Sequence, residues 1–268
     1  MLIDTHCHLM MMQTFKNPSS SNHFPTDAEN IIRAAEQEEV KKLIDVGTNI
    51  QESLYAVQNA CTYATVYAAI GIHPCDITAD WHTSIATLKN LFNTTQPGRI
   101  VAIGECGIDL YHQPADLLLQ QKVFHAQIEL ALSYQLPLII HSRNAARETL
   151  DCLDKYQHTS LHGVMHCFSY DRDVAHEALA RKFALGIGGT VTYPKNNELR
   201  DIVRTLPLSS FVLETDAPFL PPQPWRGQQN HPKYIRAIAQ YIAELRNESF
   251  DVIASTTTET ALHIFQLT

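Results

Sequence analysis

Met1-Leu2-Ile3-Asp4-Thr5-His6-Cys7-His8 opens the chain, and the interpretation of the rest starts from it. Its apolar beginning, residues 1–3, is typical of a β-strand. Side chains alternate between the two faces of a strand, so His6 and His8 point the same way and Cys7 points the opposite way. Two imidazoles held on one rigid edge form half of a metal site. A pair of surface or capped histidines fits this stretch equally well, so the rest of the chain must decide.

Length and composition point to one enzyme-sized domain. At 268 residues the chain is close to the about 250 residues of a single α/β barrel, and its 45% hydrophobic residues suffice for a large core. No apolar run is long enough to span a bilayer, and polar residues come too early for an export signal. We therefore expect a single domain over residues 1–268, located in the cytoplasm and without a membrane partner.

The net charge of −8 argues against a protein that coats nucleic acid non-specifically. It leaves room for a local anionic-substrate site, where bound cations offset the carboxylates. The six cysteines show no CxxC pairing and are expected to be free thiols. Three of them, Cys7, Cys106 and Cys167, adjoin candidate site residues. We expect them to be small buried fillers that face away from the site, not thiolate ligands.

Short apolar segments alternate with helical segments along the whole chain. The apolar segments are continuously hydrophobic, as a parallel sheet covered on both faces requires, and eight such units close a (β/α)8 TIM barrel. A polar segment, residues 13–25, is predicted to be a loop, with residues 26–27 as the N-cap of the first helix. The predicted strands cover residues 1–3, 42–47, 65–74, 99–105, 138–141, 161–166, 183–188 and 211–216. The predicted helices cover residues 28–40, 51–60, 85–92, 115–134, 145–156, 172–180, 196–205, 231–245 and 250–265.

Four histidines and two carboxylates lie at the C-terminal ends of these strands. In a barrel enzyme, the active site is built at this rim from the ends of several strands. Nitrogen and oxygen ligands suit Zn²⁺, Mn²⁺ or Mg²⁺, and one carboxylate flanked by histidines can bridge two metals about 3.5–4 Å apart. Each residue alone could be a polar strand end bonded to a loop, but six at one rim favour a metal centre. They are His6, His8, Glu105, His141, His166 and Asp216.

Over nearly its whole length, the chain resembles the TatD family of metal-dependent deoxyribonucleases, within the amidohydrolase-type metal-dependent hydrolases. The resemblance rests on six motifs in the expected order. They are Asp4-Thr5-His6-Cys7-His8-Leu9, Gly71-Ile72-His73-Pro74, Gly104-Glu105-Cys106-Gly107-Ile108-Asp109, His141-Ser142-Arg143, His166-Cys167-Phe168-Ser169 and Glu214-Thr215-Asp216-Ala217-Pro218-Phe219-Leu220.

The resemblance implies two divalent cations, Mg²⁺, Mn²⁺ or Zn²⁺, and hydrolysis of phosphodiester bonds as a 3′-to-5′ exonuclease on single-stranded DNA. It implies one metal on His6, His8, Glu105 and Asp216, and the other on Glu105, His141 and His166. A DNA substrate follows from it, with no obligate protein partner, and we expect a monomer.

Catalytic and substrate roles follow from two-metal chemistry. Glu105 would bridge the metals, and Asp216 would accept the proton of the attacking water. His73, Arg143 and Arg226 are expected to contact the phosphate, since guanidinium groups suit bidentate recognition of oxyanions. A rim salt bridge for Arg143 and a hydrogen-bonded loop residue for His73 are the alternatives.

Three positions depart from the family's usual pattern: Met10 stands where Asp is frequent, Tyr170 where Gly is common, and His231 where Glu is usual. None is a predicted metal ligand, and all three are expected in substrate-facing loops. The departures therefore bear on substrate identity more than on the metal centre.

The main alternative function is a small-molecule amidohydrolase, for example a deacylase of a D-aminoacyl ester or D-aminoacyl-tRNA, on the same metals. Many amidohydrolases use a carboxylated lysine as the bridging ligand, whereas Glu105 occupies that strand end here, which favours the nuclease. A structural metal or a binding scaffold is the third possibility. Structural zinc prefers four closed ligands, often cysteines, and the six rim residues do not match that pattern.

Overall fold

The computed structural model describes residues 1–14 and 27–267. Eight parallel strands follow one another around a single sheet in chain order, each paired with the next. The strands are β1 (Leu2–Cys7), β2 (Val40–Val46), β3 (Val66–Ile70), β4 (Ile100–Asp109), β5 (Leu138–Arg143), β6 (Gly163–Met165), β7 (Phe183–Ile187) and β8 (Phe211–Leu213). The predicted (β/α)8 barrel is confirmed.

Helices follow the strands around the outside of the barrel. They are α1 (Leu9–Thr14), α2 (Ala28–Gln37), α3 (Ile50–Thr62), α4 (Trp81–Thr94), α5 (Leu117–Tyr134), α6 (Ala146–Asp154), α7 (Arg172–Ala180), α8 (Asn197–Thr205), α9 (Ile235–Arg246) and α10 (Phe250–Phe265). The sequence reading missed α1 and placed residues 13–14 of it in a loop. The rest of that predicted loop lies outside the described residues, while Asp27 caps α2 through a bond from the Asn30 backbone N–H, as expected.

The strand ends differ from the predicted ones where they carry the site. β4 continues four residues beyond Glu105, and β8 ends at Leu213, so Asp216 lies in the loop that follows the strand and does not terminate it. Asp216 has a positive φ of 58°, a left-handed backbone conformation that no β-strand contains. The apolar residues of β8 predicted the strand, but they do not predict the turn at Asp216.

Two large buried clusters make up most of the core, and a third contains Ala56, Ala60 and Ala68. The smaller of the two large clusters takes residues from all eight strands and adds Ile264 and Phe265 from the end of α10. Because every strand contributes to it, this cluster fills the barrel interior, and α10 packs against it. The larger cluster joins the strands to the surrounding helices. Within the described residues, 1–14 and 27–267, no helix is both long and apolar enough to cross a bilayer.

The barrel closes where β1 meets the segment after β8. The Asp216 N–H donates to the His6 carbonyl at 2.8 Å, and the His8 N–H donates to the Ala217 carbonyl at 2.8 Å. The buried Asp4 carboxyl reinforces the joint, accepting from the Thr215 N–H at 2.9 Å and from its hydroxyl at 2.6 Å. Burial, which outweighs these hydrogen bonds, raises the pKa of Asp4 to about 8.

We expect Asp4→Ala to lower the free energy of unfolding of the metal-free protein by about 2–4 kcal/mol, because it leaves two buried Thr215 donors without their acceptor. Urea unfolding followed by circular dichroism measures the change. Asp80→Ala is the matched control, since Asp80 is exposed and makes no side-chain capping bond. Equal stability of the two variants would show that the Asp4 joint contributes nothing.

Candidate metal centre

The six predicted ligands converge in one cavity of about 590 Å³ at the C-terminal end of the strands. Five of them line the cavity, and His6 lies buried directly beneath them. Phe219, which is 41% exposed, and Leu220 from the loop after β8 form part of its apolar wall. The sequence therefore placed all six side chains at the rim where the structure has them.

His6, His8 and the two carboxylates form the first half of the site. The two Nε2 atoms of His6 and His8 are 3.1 Å apart. Glu105 Oε2 lies 3.3 Å from the Nε2 of His6, and Asp216 Oδ1 lies 3.4 Å from the Nε2 of His8. A nitrogen from each imidazole and an oxygen from Asp216 thus lie close enough to share one ion.

Glu105 faces the second half of the site with its other oxygen. Its Oε1 lies 2.9 Å from Nδ1 of His141 and 3.8 Å from Nε2 of His73. His166 lies nearer the first half of the site: its ring stacks on that of His6 with centroids 3.5 Å apart, and its ligand atom groups with those of His6 and Glu105. The Nε2 of His166 is 3.7 Å from Asp216 Oδ1. The two oxygens of one carboxylate therefore serve two groups of imidazoles.

Three of the four imidazole rings are oriented by a partner on the far side, whereas the buried Nδ1 of His6 has no hydrogen-bond partner among the described residues. His8 donates from Nδ1 to the Val46 carbonyl at 2.8 Å, which leaves Nε2 without a proton when the ring is neutral. His166 places Nδ1 3.1 Å from Glu214 Oε1, and His141 places Nε2 3.0 Å from Asp109 Oδ2. Such partners fix the tautomer and orientation of metal-binding histidines.

The charges of the carboxylates among the six candidate ligands favour a bound cation. Burial lowers the pKa of His8, but the Asp216 carboxylate outweighs it and raises that pKa to about 9. Burial also lowers the pKa of His166, but the neighbouring Glu214 carboxylate outweighs it and raises that pKa to about 10. At Glu105, burial raises the pKa, yet bonds from His141 and His6 bring it well below its usual range. Ionised carboxylates facing imidazole nitrogens are a donor set that fits divalent metals.

Of the three residues predicted to contact substrate, two line the cavity and one does not. His73 and Arg143 line the cavity. His73 Nδ1 accepts from the Cys75 N–H at 3.1 Å, so the neutral ring carries its proton on Nε2, the nitrogen nearer Glu105. Burial lowers the pKa of His73 to about 4, which keeps the ring neutral. Arg143 lies over the Tyr111 ring, 3.9 Å from its centroid.

Arg226 is exposed and lies over the Tyr193 ring at 4.4 Å, outside the cavity lining. Its contact with the phosphate therefore stays a prediction, and its location outside the cavity lining does not support it.

The three departures from the family pattern do not line the cavity either. Met10 is half-buried in α1. The Tyr170 hydroxyl bonds to the Ser142 hydroxyl at 2.9 Å and accepts from the Ala145 N–H at 3.1 Å, tying two rim loops together. His231 is fully buried and caps a short turn by accepting from the Lys233 N–H. The prediction that His231 faces substrate is wrong, because its side chain is fully buried, whereas for Met10 and Tyr170 it stays a prediction.

The expectation for the cysteines holds for two of three. Cys7 and Cys106 are buried and donate to the backbone carbonyls of Ile44 and Ile139, away from the site. Cys167 instead lines the cavity and is partly exposed. β6 ends two residues earlier and Cys167 has a φ of 47°, so strand alternation does not apply there. All six cysteines are free thiols, as predicted.

Known proteins resemble this chain over its whole length. Residues 3–266 match the family model described as TatD related DNase. The uncharacterized metal-dependent hydrolase YabD of Bacillus subtilis is 35% identical, with 100% of both chains covered. The crystal structure of YjjV, a TatD homologue from Escherichia coli, superposes with a TM-score of 0.87 at 31% identity and covers 100% of this chain and 98% of its own.

The chain belongs to the TatD-related DNase family. The resemblance noted from the motifs is confirmed, and the protein is a metal-dependent hydrolase. A further family member, the protein named 3'-5' ssDNA/RNA exonuclease TatD of Pectobacterium carotovorum, is 31% identical over 92% of this chain and 96% of its own.

Sequence reasoning assigned no role to Asp109, although it lies in one of the quoted motifs. Its buried carboxylate accepts from the backbone N–H groups of Tyr111 and His112, both at 2.8 Å, and faces His141. The sequence did contain a signal for this role: Asp109 is a carboxylate that follows Glu105, the end of a predicted strand, by four residues. Hydrogen bonds from His141 and His112 outweigh burial and hold the pKa of Asp109 well below its usual range.

Proposed function

We propose that this TatD-family hydrolase is a deoxyribonuclease that removes nucleotides from the 3′ end of single-stranded DNA and uses two divalent cations. The observation that carries the proposal is the position of Glu105, whose two carboxylate oxygens face two separate imidazole groups. The exonuclease name of the Pectobacterium carotovorum relative supports the substrate class. No carboxylated lysine would be needed, because the Glu105 carboxylate would take the shared-ligand role.

The ligand set divides around that carboxylate. His6, His8 and Asp216 would hold one cation with Glu105, and Glu105, His141 and His166 would hold the other. Glu105 has His141 close on one side and His166 close on the other, where His166 also lies near His6. When bound, two such cations lower the pKa of a water molecule and neutralise charge on the phosphate. The side chains supply the rest: orientation, proton acceptance and grip on the phosphate.

Asp216 is the proposed proton acceptor. Burial raises its pKa, but the His8 hydrogen bond and the nearby imidazoles lower it below the usual range, so the carboxylate is ionised and able to accept a proton. Its side chain is 15% exposed, enough to face a water molecule in the cavity. His73 would donate its Nε2–H to a phosphate oxygen, and Arg143, steadied on Tyr111, would pair with the same group.

We expect two metal ions per chain after reconstitution with excess Mn²⁺, which has little affinity for thiolate ligands, and removal of unbound metal. Glu105→Ala should lower the content to one or less, because both ions lose a shared ligand. Inductively coupled plasma mass spectrometry gives the ratio. Glu148→Ala, in the first turn of α6 and outside the cavity lining, is the control. One ion in the wild type, with the same content in Glu105→Ala, would contradict the two-metal proposal.

The substrate class is tested with an oligonucleotide labelled at its 5′ end and incubated with Mg²⁺ or Mn²⁺. We expect a ladder that shortens from the 3′ end and binding that weakens as salt rises, with a shallow slope because few cationic side chains reach the cavity. The Asp216→Asn protein, purified identically, controls for contaminating nuclease. Rapid hydrolysis of amide or D-aminoacyl ester substrates, with no cleavage of any nucleic acid, would favour the small-molecule hydrolase instead.

Asp216→Asn should lower turnover by about 10²–10⁴-fold while the metals stay bound and the melting temperature changes little. Asparagine keeps one oxygen for coordination but accepts no proton at neutral pH. The comparison variant is Glu214→Gln, which alters the carboxylate behind His166. Metal content is measured for both. An active Asp216→Asn together with an inactive Glu214→Gln would move the general base to Glu214.

A further inference from the structure

A second group of potential metal ligands lies beside the centre described above. The side chains of Cys75, Asp109 and His112 each offer one ligand atom, and the three atoms lie within 4.8 Å of one another. Cys75 comes from the turn after β3, and the other two come from the end of β4 and the loop that follows it. The proposed nuclease reaction uses neither Cys75 nor His112.

We propose that Cys75, Asp109 and His112 form a separate site for a thiolate-binding divalent cation such as Zn²⁺ or Co²⁺. One sulfur, one oxygen and one nitrogen ligand suit these ions and leave a fourth position for water. Mg²⁺ prefers oxygen ligands and keeps most of its own water, so it is a poor occupant. The thiol loses its proton when the ion binds, which also favours a metal with high affinity for sulfur.

The three residues are already held together. His112 Nδ1 lies 2.9 Å from Asp109 Oδ2, and the Cys75 sulfur lies within 4.8 Å of a ligand atom of each. The Asp109 backbone is fixed as well, because the Gln120 side chain bonds to both its N–H and its carbonyl. On the other side, the Cys75 N–H bonds to the His73 ring. Little ordering would be required to bring the ligand atoms onto an ion.

An ion can reach this group from solvent. Cys75 is exposed, and the His112 side chain is 55% exposed, while Asp109 is buried at the base of the group. A fully buried trio would have required the loops to open. Here only the Asp109 carboxylate is inside, and the two outer ligands leave an entry path.

Asp109 couples this outer site to the metal centre. Its Oδ2 lies 3.0 Å from Nε2 of His141, the ring that faces Glu105, and 2.9 Å from His112. An ion on the outer site would draw on the same oxygen that orients His141. On the proposed two-metal function, excess Zn²⁺ would therefore disturb the position of a catalytic-metal ligand without displacing that metal.

Titration of the metal-free full-length protein with Co²⁺ tests the site without reference to activity. A Co²⁺–thiolate bond gives a charge-transfer absorption in the near ultraviolet, whereas histidine and carboxylate ligands do not. We expect this absorption in the wild type, its loss in Cys75→Ser, and its retention in Cys61→Ser and Cys167→Ser. Cys61 is an exposed thiol on α3, and Cys167 is the thiol that lines the metal-centre cavity.

His112→Ala keeps the thiol and loses only an exposed ring, so it carries the test if Cys75→Ser fails to fold. It should weaken Co²⁺ binding at the absorbing site by about tenfold or more. An absent band in the wild type, a band that persists in Cys75→Ser, a band lost only in Cys167→Ser, or an unchanged affinity in His112→Ala would each overturn the proposal. Cleavage of DNA in Mg²⁺, measured on Cys75→Ser, reports separately on the nuclease and should match the wild type.

Discussion

The closure of the barrel between β1 and the loop after β8 is the constraint on which the site depends. His6 lies in the first strand, His8 directly follows it, and Asp216 lies in the loop after the last strand, more than two hundred residues away in the chain. The buried Asp4–Thr215 bonds and the two backbone bonds beside them bring these ends together. A carboxyl with no access to water is costly unless its hydrogen bonds are satisfied, and Thr215 satisfies two of them. The joint that closes the barrel therefore also assembles half of the metal centre.

A second layer of polar groups behind the ligands explains how buried charges are tolerated. Glu214, fully buried, faces His166 and accepts from the Cys167 N–H at 2.6 Å. A Cβ at Gly186 would lie 2.2 Å from Glu214 Oε2, so only glycine leaves room for that carboxylate. Asp109 has the same role behind His141. Such carboxylates orient imidazole rings and make them better ligands, at the cost of negative charge that a bound cation offsets.

The barrel and the position of all six candidate ligands at its rim were predictable because they depend on features that are local in sequence. Continuous apolar strands identify the parallel sheet, and the polar residue after each strand marks the catalytic rim. Three features depend instead on contacts between distant segments: the role of Asp109 toward His141, the exposure of Cys167, and the burial of His231. The burial of His231 could not be predicted, because a polar residue after a proline-rich loop is usually exposed to solvent. Arg226 shows the same limit, since its partner Tyr193 comes from the segment after β7.

The position of Asp216 shows how the fold serves the chemistry. A non-glycine residue with a positive φ is strained, and such strain persists only where the surroundings enforce it. The surroundings here are the His6 carbonyl, which holds the Asp216 N–H, and the buried Asn230, whose amide donates to the carbonyls of Thr215 and Phe219 on either side. The turn aims the carboxylate back toward His8 and His166. The same turn sends Phe219 onward into the cavity wall, so one enforced backbone conformation positions both the proposed base and part of the surface that substrate meets.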